Sequence, residues 1–131
     1  QITRFPNVYV NLEVTSAQLL AAPGKFKESI ANLTEAGGEY ALEKLIWATG
    51  ASDFHPQPLL EAFWEFDFGE LDQKMGSFEV TKEHKRQILG GNFCDAHRFD
   101  ESALRSIEDE YNKPRELKEP FSTTAFETVA Q

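Results

Sequence analysis

The chain has 131 residues, with 13 Lys and Arg against 22 Asp and Glu, a formal net charge of −9. Its 11 Phe, 2 Trp and 3 Tyr supply one ordinary core and exclude disorder, while 8 Gly and 6 Pro exclude a collagen-like chain. The acidic balance argues against nucleic acid, no apolar run reaches bilayer length, and the lone Cys94 excludes a disulfide-stapled scaffold and fits a reducing, cytoplasmic compartment.

No signal-peptide pattern opens the sequence, and its first residue is Gln1 rather than Met, as expected of a processed, trimmed or excised chain. Residues Phe5 to Leu12 read as a strand. Val8, Val10 and Leu12 alternate with Tyr9, Asn11 and Glu13, and the second face turns polar toward its C-terminal end. Thr15 or Ser16 can cap a turn over residues 17–22, which Pro23-Gly24 is expected to break. Phe26, Ile30 and Leu33 mark one face of a helix stopped by Gly37-Gly38, and residues 40–44 add a turn.

The run Leu45-Ile46-Trp47-Ala48-Thr49, ended by Gly50, fits a buried parallel strand. After a loop over residues 51–57, Pro58 suits the first turn of a helix whose apolar face is Leu59, Leu60, Phe63 and Phe66. Residues 5–66 therefore read strand, helix, strand, helix, a pattern of parallel strands joined by crossovers. Residues 67–78 read as an acidic surface loop. Thr81 caps a helix over 82–89 that Gly90-Gly91 should stop, and a short helix follows over 92–97. The tail from Tyr111 lacks periodicity but carries Phe121, Phe126 and Val129 as spaced apolar anchors, which reads as an arm wrapped over a partner.

Three segments resemble the C-terminal part of the amidohydrolase-related family of metal-dependent hydrolases and decarboxylases. Arg4-Phe5-Pro6-Asn7-Val8-Tyr9-Val10-Asn11-Leu12 is similar to the family's seventh barrel strand. Glu43-Lys44-Leu45-Ile46-Trp47-Ala48-Thr49-Gly50 with His55-Pro56-Gln57-Pro58-Leu59-Leu60-Glu61-Ala62-Phe63 is similar to its eighth strand, loop and helix. Lys85-Arg86-Gln87-Ile88-Leu89-Gly90-Gly91-Asn92 resembles its closing helix–glycine–asparagine signature.

The resemblance implies an α/β fold: the last two strand–helix units of a (β/α)₈ TIM-like barrel over residues 1–100, then a C-terminal helix and extended tail over 101–131. A whole barrel takes about 250 residues, so a larger chain is expected to supply the rest. The implied cofactor is a divalent metal, zinc, bound mainly outside this chain, because the family's His-x-His pair is absent here; the histidines are His55, His84 and His97. The implied activity is metal-dependent hydrolysis or decarboxylation of a small molecule.

The family's metal-binding Asp ends the eighth strand. One register places Gly50 at that position; a three-residue shift places Asp53 there as metal ligand and catalytic base. The alternative role for Asp53 is a helix cap. His55 lies in the same loop as a second catalytic candidate. Asn11 and Glu13 are substrate-contact candidates, with capping or solvation as the alternative. His84 reads as solvated, His97 and Cys94 as packed, and Asn92 as a turn or cap residue. Beside the enzyme reading stands a non-catalytic structural or regulatory subunit that has lost the metal-binding Asp.

Overall fold

The computed structural model describes residues 4–50, 55–71, 76–100, 102, 103 and 106. The chain divides into two units, Gln1–Phe99 and Asp100–Gln131. In the second, the Asp100 carboxylate accepts from the backbone N–H and the hydroxyl of Ser102. The tail from Tyr111, with its apolar anchors, lies outside the described residues.

The first unit begins with a short strand, β1 (Val10–Asn11), followed by helices α1 (Glu13–Ala21) and α2 (Pro23–Thr34). A 3-10 helix over Gly38–Lys44 leads into β2 (Leu45–Ile46), and α3 (Gln57–Glu65) follows. Then come β3 (Glu70–Leu71), β4 (Phe78–Glu79) and α4 (Lys82–Arg86). A π-helical turn over Gln87–Gly91 joins α4 to α5 (Asn92–His97). The described residues thus form an α-rich unit with two small sheets.

β1 and β2 pair in parallel, Val10 opposite Leu45 and Asn11 opposite Ile46. Side chains alternate across a strand, so Val10, Leu12, Leu45 and Trp47 share the face that carries the core. Leu12, Leu45, Phe26, Ile30, Leu59, Phe63 and Ile88 are all essentially inaccessible. Rings knit this core together. Phe26 meets Phe63 edge-on at 6.2 Å, and Trp47 lies 4.5 Å from Phe63. The opposite face carries Tyr9 and Ile46, half-buried, and Asn11, exposed.

Several local expectations are revised by tertiary context. The chain breaks before Pro23 as expected, with α1 ending at Ala21, but Pro23 also starts α2, because proline at a helix start gives up an N–H that would have no partner anyway. Residues 67–78 are not only loop. Phe68 and Leu71 are buried, and β3 pairs antiparallel with β4, Leu71 opposite Phe78. Gly90-Gly91 do not stop the chain's helical path; the turn widens there and continues into α5. Arg98, in the left-handed conformation at φ 56°, ends it.

Candidate functional site at the strand ends

The C-terminal ends of the parallel strands bring together Asn11, Glu13, Ser16, Ala48 and Gly50. The Asn11 side-chain oxygen accepts the Glu13 backbone N–H at 2.8 Å. One of the amides left open by the first turn of α1 is thereby satisfied. Asn11 therefore acts as a cap, the alternative role weighed for it, although it remains exposed at the mouth.

Ser16 is fully buried. Its hydroxyl lies 2.9 Å from the Glu13 carbonyl and 2.8 Å from the Ala48 carbonyl, 32 residues away. It ties the start of α1 to the end of β2. Nothing in the sequence pattern distinguished Ser16 from an ordinary cap, because its partner is remote.

Gly50 adopts φ +60°, a region that side chains rarely enter. A Cβ there would stand 2.9 Å from Glu13 Cγ and 3.2 Å from its Oε1. The exposed Glu13 side chain thus lies over Gly50, and of the two positions proposed for a metal aspartate, this one holds a glycine with a neighbouring glutamate against it.

Asp53 lies outside the described residues. His55 is exposed just ahead of α3, and its Nδ1 accepts the Gln57 N–H at 3.2 Å. That contact assigns the ring proton of the neutral imidazole to Nε2. Among the described residues no three His, Cys, Asp or Glu side chains converge as a metal site. The described donors, Glu13 and His55, do not fit a metal by themselves, and no step through one is derived from them. Chemically, the strand ends offer a carboxylate and an amide at an exposed mouth.

A cleft of about 700 Å³ lies toward the strands' N-terminal ends, lined by Tyr9, Tyr40, Lys44 and His84 among others. Lys44 is buried there. Its Nζ donates to the Pro6 carbonyl at 2.9 Å and lies 4.7 Å from the Tyr9 ring centre and 5.5 Å from that of Tyr40. These cation–π contacts fasten the segment entering β1.

His84 is half-buried rather than solvated. It completes a reciprocal cap with Thr81: Thr81 N–H donates to His84 Nδ1, and His84 N–H donates to Thr81 Oγ1. Its Nε2 meets Glu39 at 3.1 Å. His97 is exposed, not packed inside, and stacks on Phe93 at 4.1 Å. Cys94 is buried, as expected. Asn92 is 2% exposed and donates to two carbonyls, Leu42 at 2.8 Å and Leu45 at 2.7 Å. It links the closing helix to β2 rather than serving as a local turn residue.

Lys85, also missed by the sequence pattern, is buried with its Nζ on the carbonyls of Trp64 and Phe66 at the end of α3. Burial, with the nearby Lys82 adding to it, holds its ammonium below the ordinary lysine range. No family model, curated protein or solved structure matches this chain. No described helix is long and apolar enough to cross a membrane.

Proposed function

We propose that this chain is the closing segment of an amidohydrolase-related, metal-dependent hydrolase or decarboxylase. It gives two strand–helix units and part of the active-site mouth to a larger chain that holds the metal, zinc by the resemblance, in the cytoplasm. The substrate is a small molecule, and neither nucleic acid nor a membrane is a partner. The observation that carries this reading is the parallel pairing of β1 and β2 with the core on one face and Tyr9, Asn11 and Ile46 left part-open on the other. Parallel sheets are ordinarily covered on both faces, and two strands alone are marginal. Asn11 and Glu13 then border the substrate, with Asp53 as the candidate metal ligand and base and His55 beside it.

A second reading, a non-catalytic subunit, is favoured by one feature: Gly50 holds a left-handed backbone with Glu13 packed against it. In this reading the metal-binding Asp has been lost at Gly50.

Purification of the tagged chain with intact-mass and metal measurement tests the proposal. A companion chain with a His-x-His pair and about six strand–helix units, plus bound metal, supports it. A cooperatively unfolding monomer of 14.8 kDa refutes it. Asp53→Asn in the assembled complex then separates the readings. Turnover and bound metal both fall in the first, and neither changes in the second.

A further inference from the structure

A groove of about 550 Å³ runs between α3 and the π-helical turn, lined by Leu60, Glu61, Trp64, Glu65 and Leu89. Its make-up follows from helical spacing. Leu59 and Phe63 carry α3 into the core. One residue on, Leu60 and Trp64 lie four apart and share the neighbouring stripe, and Glu61 and Glu65 share the next. Leu60 and Leu89 are half-buried and Trp64 is exposed, so an apolar stripe stays open at the edge of the core. A tryptophan set beside two leucines has the composition of an interface centre.

The charges say what fits there. α3 holds Glu61 and Glu65 and no Lys or Arg. Like charges four apart on a helix repel, and Glu65 in the last turn faces the negative end of the helix dipole. The chain offsets this only in part. Lys82 Nζ reaches Glu65 at 3.4 Å and lies 4.5 Å from the Trp64 ring centre. Among the described residues the Glu61 carboxylate meets a neutral amide, Gln57 Nε2 at 2.6 Å, and no cation. No basic residue among them lines the groove. Both walls are helical, so their backbone groups are largely paired within their own turns and offer no ladder to an extended strand. An occupant that satisfies its own backbone is a helix.

We infer that this groove docks a basic amphipathic helix of another protein, its apolar side chains on Leu60, Trp64 and Leu89 and its Lys or Arg residues over Glu61 and Glu65. A second copy of this chain would bring the same two carboxylates and another net charge of −9, and an anionic membrane surface would be repelled in the same way. The inference does not rest on the function proposed above. In a closed barrel the helices form the outer ring, so a docking groove on α3 is compatible with that reading.

Titration of the full chain with a synthetic helix tests it. The probe is a peptide of about 18 residues made of Leu and Lys, with Leu on one face at i, i+4, i+7 and i+11, followed by NMR at about 0.15 M salt. The Trp64 indole N–H and the amides of residues 59–65 and 86–91 are expected to shift while the Trp47 indole stays in place; shifts spread over the whole chain overturn the inference. Glu61→Lys/Glu65→Lys is expected to weaken binding at least about tenfold, and Leu60→Ser about fivefold. Glu28→Lys/Glu43→Lys makes the same charge change on exposed residues outside the groove and is expected to leave affinity within about threefold. Equal loss in the two double variants overturns the inference, because the peptide then reads net charge alone. Equal binding of a peptide with Glu in place of Lys also overturns it, and that comparison decides should a variant not fold. Anionic lipid vesicles that move the same resonances overturn it in favour of a membrane. If a companion chain co-purifies, the complex is expected to bind the peptide as the free chain does. A complex that no longer binds it overturns the inference and leaves the proposed function standing. If no companion is found, the proposed function fails and the titration still decides.

Discussion

Replacing Gly50 by alanine isolates the cost of the backbone at the mouth. The residue sits at φ +60°, where an L side chain costs about 1–2 kcal/mol relative to the right-handed region. A second contribution comes from Glu13, since the new Cβ would stand 2.9 Å from its Cγ. That stem is flexible and Glu13 is exposed, so it can swing aside, and relieving it should return no more than about 0.5 kcal/mol. Gly50→Ala should therefore destabilise the chain by about 1–2 kcal/mol, nearly all of it conformational. In urea, with a slope of about 2 kcal/mol/M, the midpoint should fall by roughly half to one molar at unchanged slope. The double variant Gly50→Ala/Glu13→Ala should recover only the smaller part, and Gly50→Asn should lie closer to the parent, because asparagine tolerates the left-handed region. A Gly50→Ala midpoint equal to the parent's, or full recovery in the double variant, would refute this division of the cost.

Ser16→Ala leaves the half-buried Ala48 carbonyl without its hydroxyl partner and should cost about 1 kcal/mol by chemical denaturation. Lys85→Met removes the donor to the Trp64 and Phe66 carbonyls, with a loss of similar size. Because burial lowers the Lys85 pKa on folding, the unfolded chain binds more protons between that lowered value and about 10.4, so stability gains from this group as pH rises through the window and loses as pH falls. Subtracting the Lys85→Met profile from the parent's should expose that alkaline rise; a flat difference would refute it. Among the described residues, Trp47 Nε1 is buried without a partner, so Trp47→Phe, which deletes that donor but keeps a ring against Phe63, should change stability by less than about 1.5 kcal/mol.

What could be read from the sequence was the local grammar. Pro58 near the start of α3 and the Phe26–Ile30 stripe of α2 follow from rules that act within a few residues, and both are present. The strand run over Phe5–Leu12 is present only as Val10–Asn11, because a ladder extends only as far as its partner, and β2 is equally short. The β3–β4 pair escaped notice because each strand has two residues, too few to show a period. At the candidate site, Asn11 and Glu13 could be named from their place at a strand end. Ser16, Asn92 and Lys85 could not, since each gains its role from carbonyls between 19 and 50 residues away. The widened turn over Gln87–Gly91 likewise meets a remote residue, its Ile88 carbonyl accepting the Trp47 N–H.

The two tryptophans sit in contrasting surroundings, and this makes the protein its own optical reporter. Trp47 is held against Phe63 with its indole nitrogen shielded from water, whereas Trp64 is 37% exposed with the Lys82 ammonium 4.5 Å from its ring. Trp47 should emit at shorter wavelength and resist collisional quenchers. Trp64 should emit further to the red and respond to anything that pulls α4 away from the end of α3. One emission spectrum, resolved with a soluble quencher, thus separates loosening of the core from detachment of the closing helix without any added label.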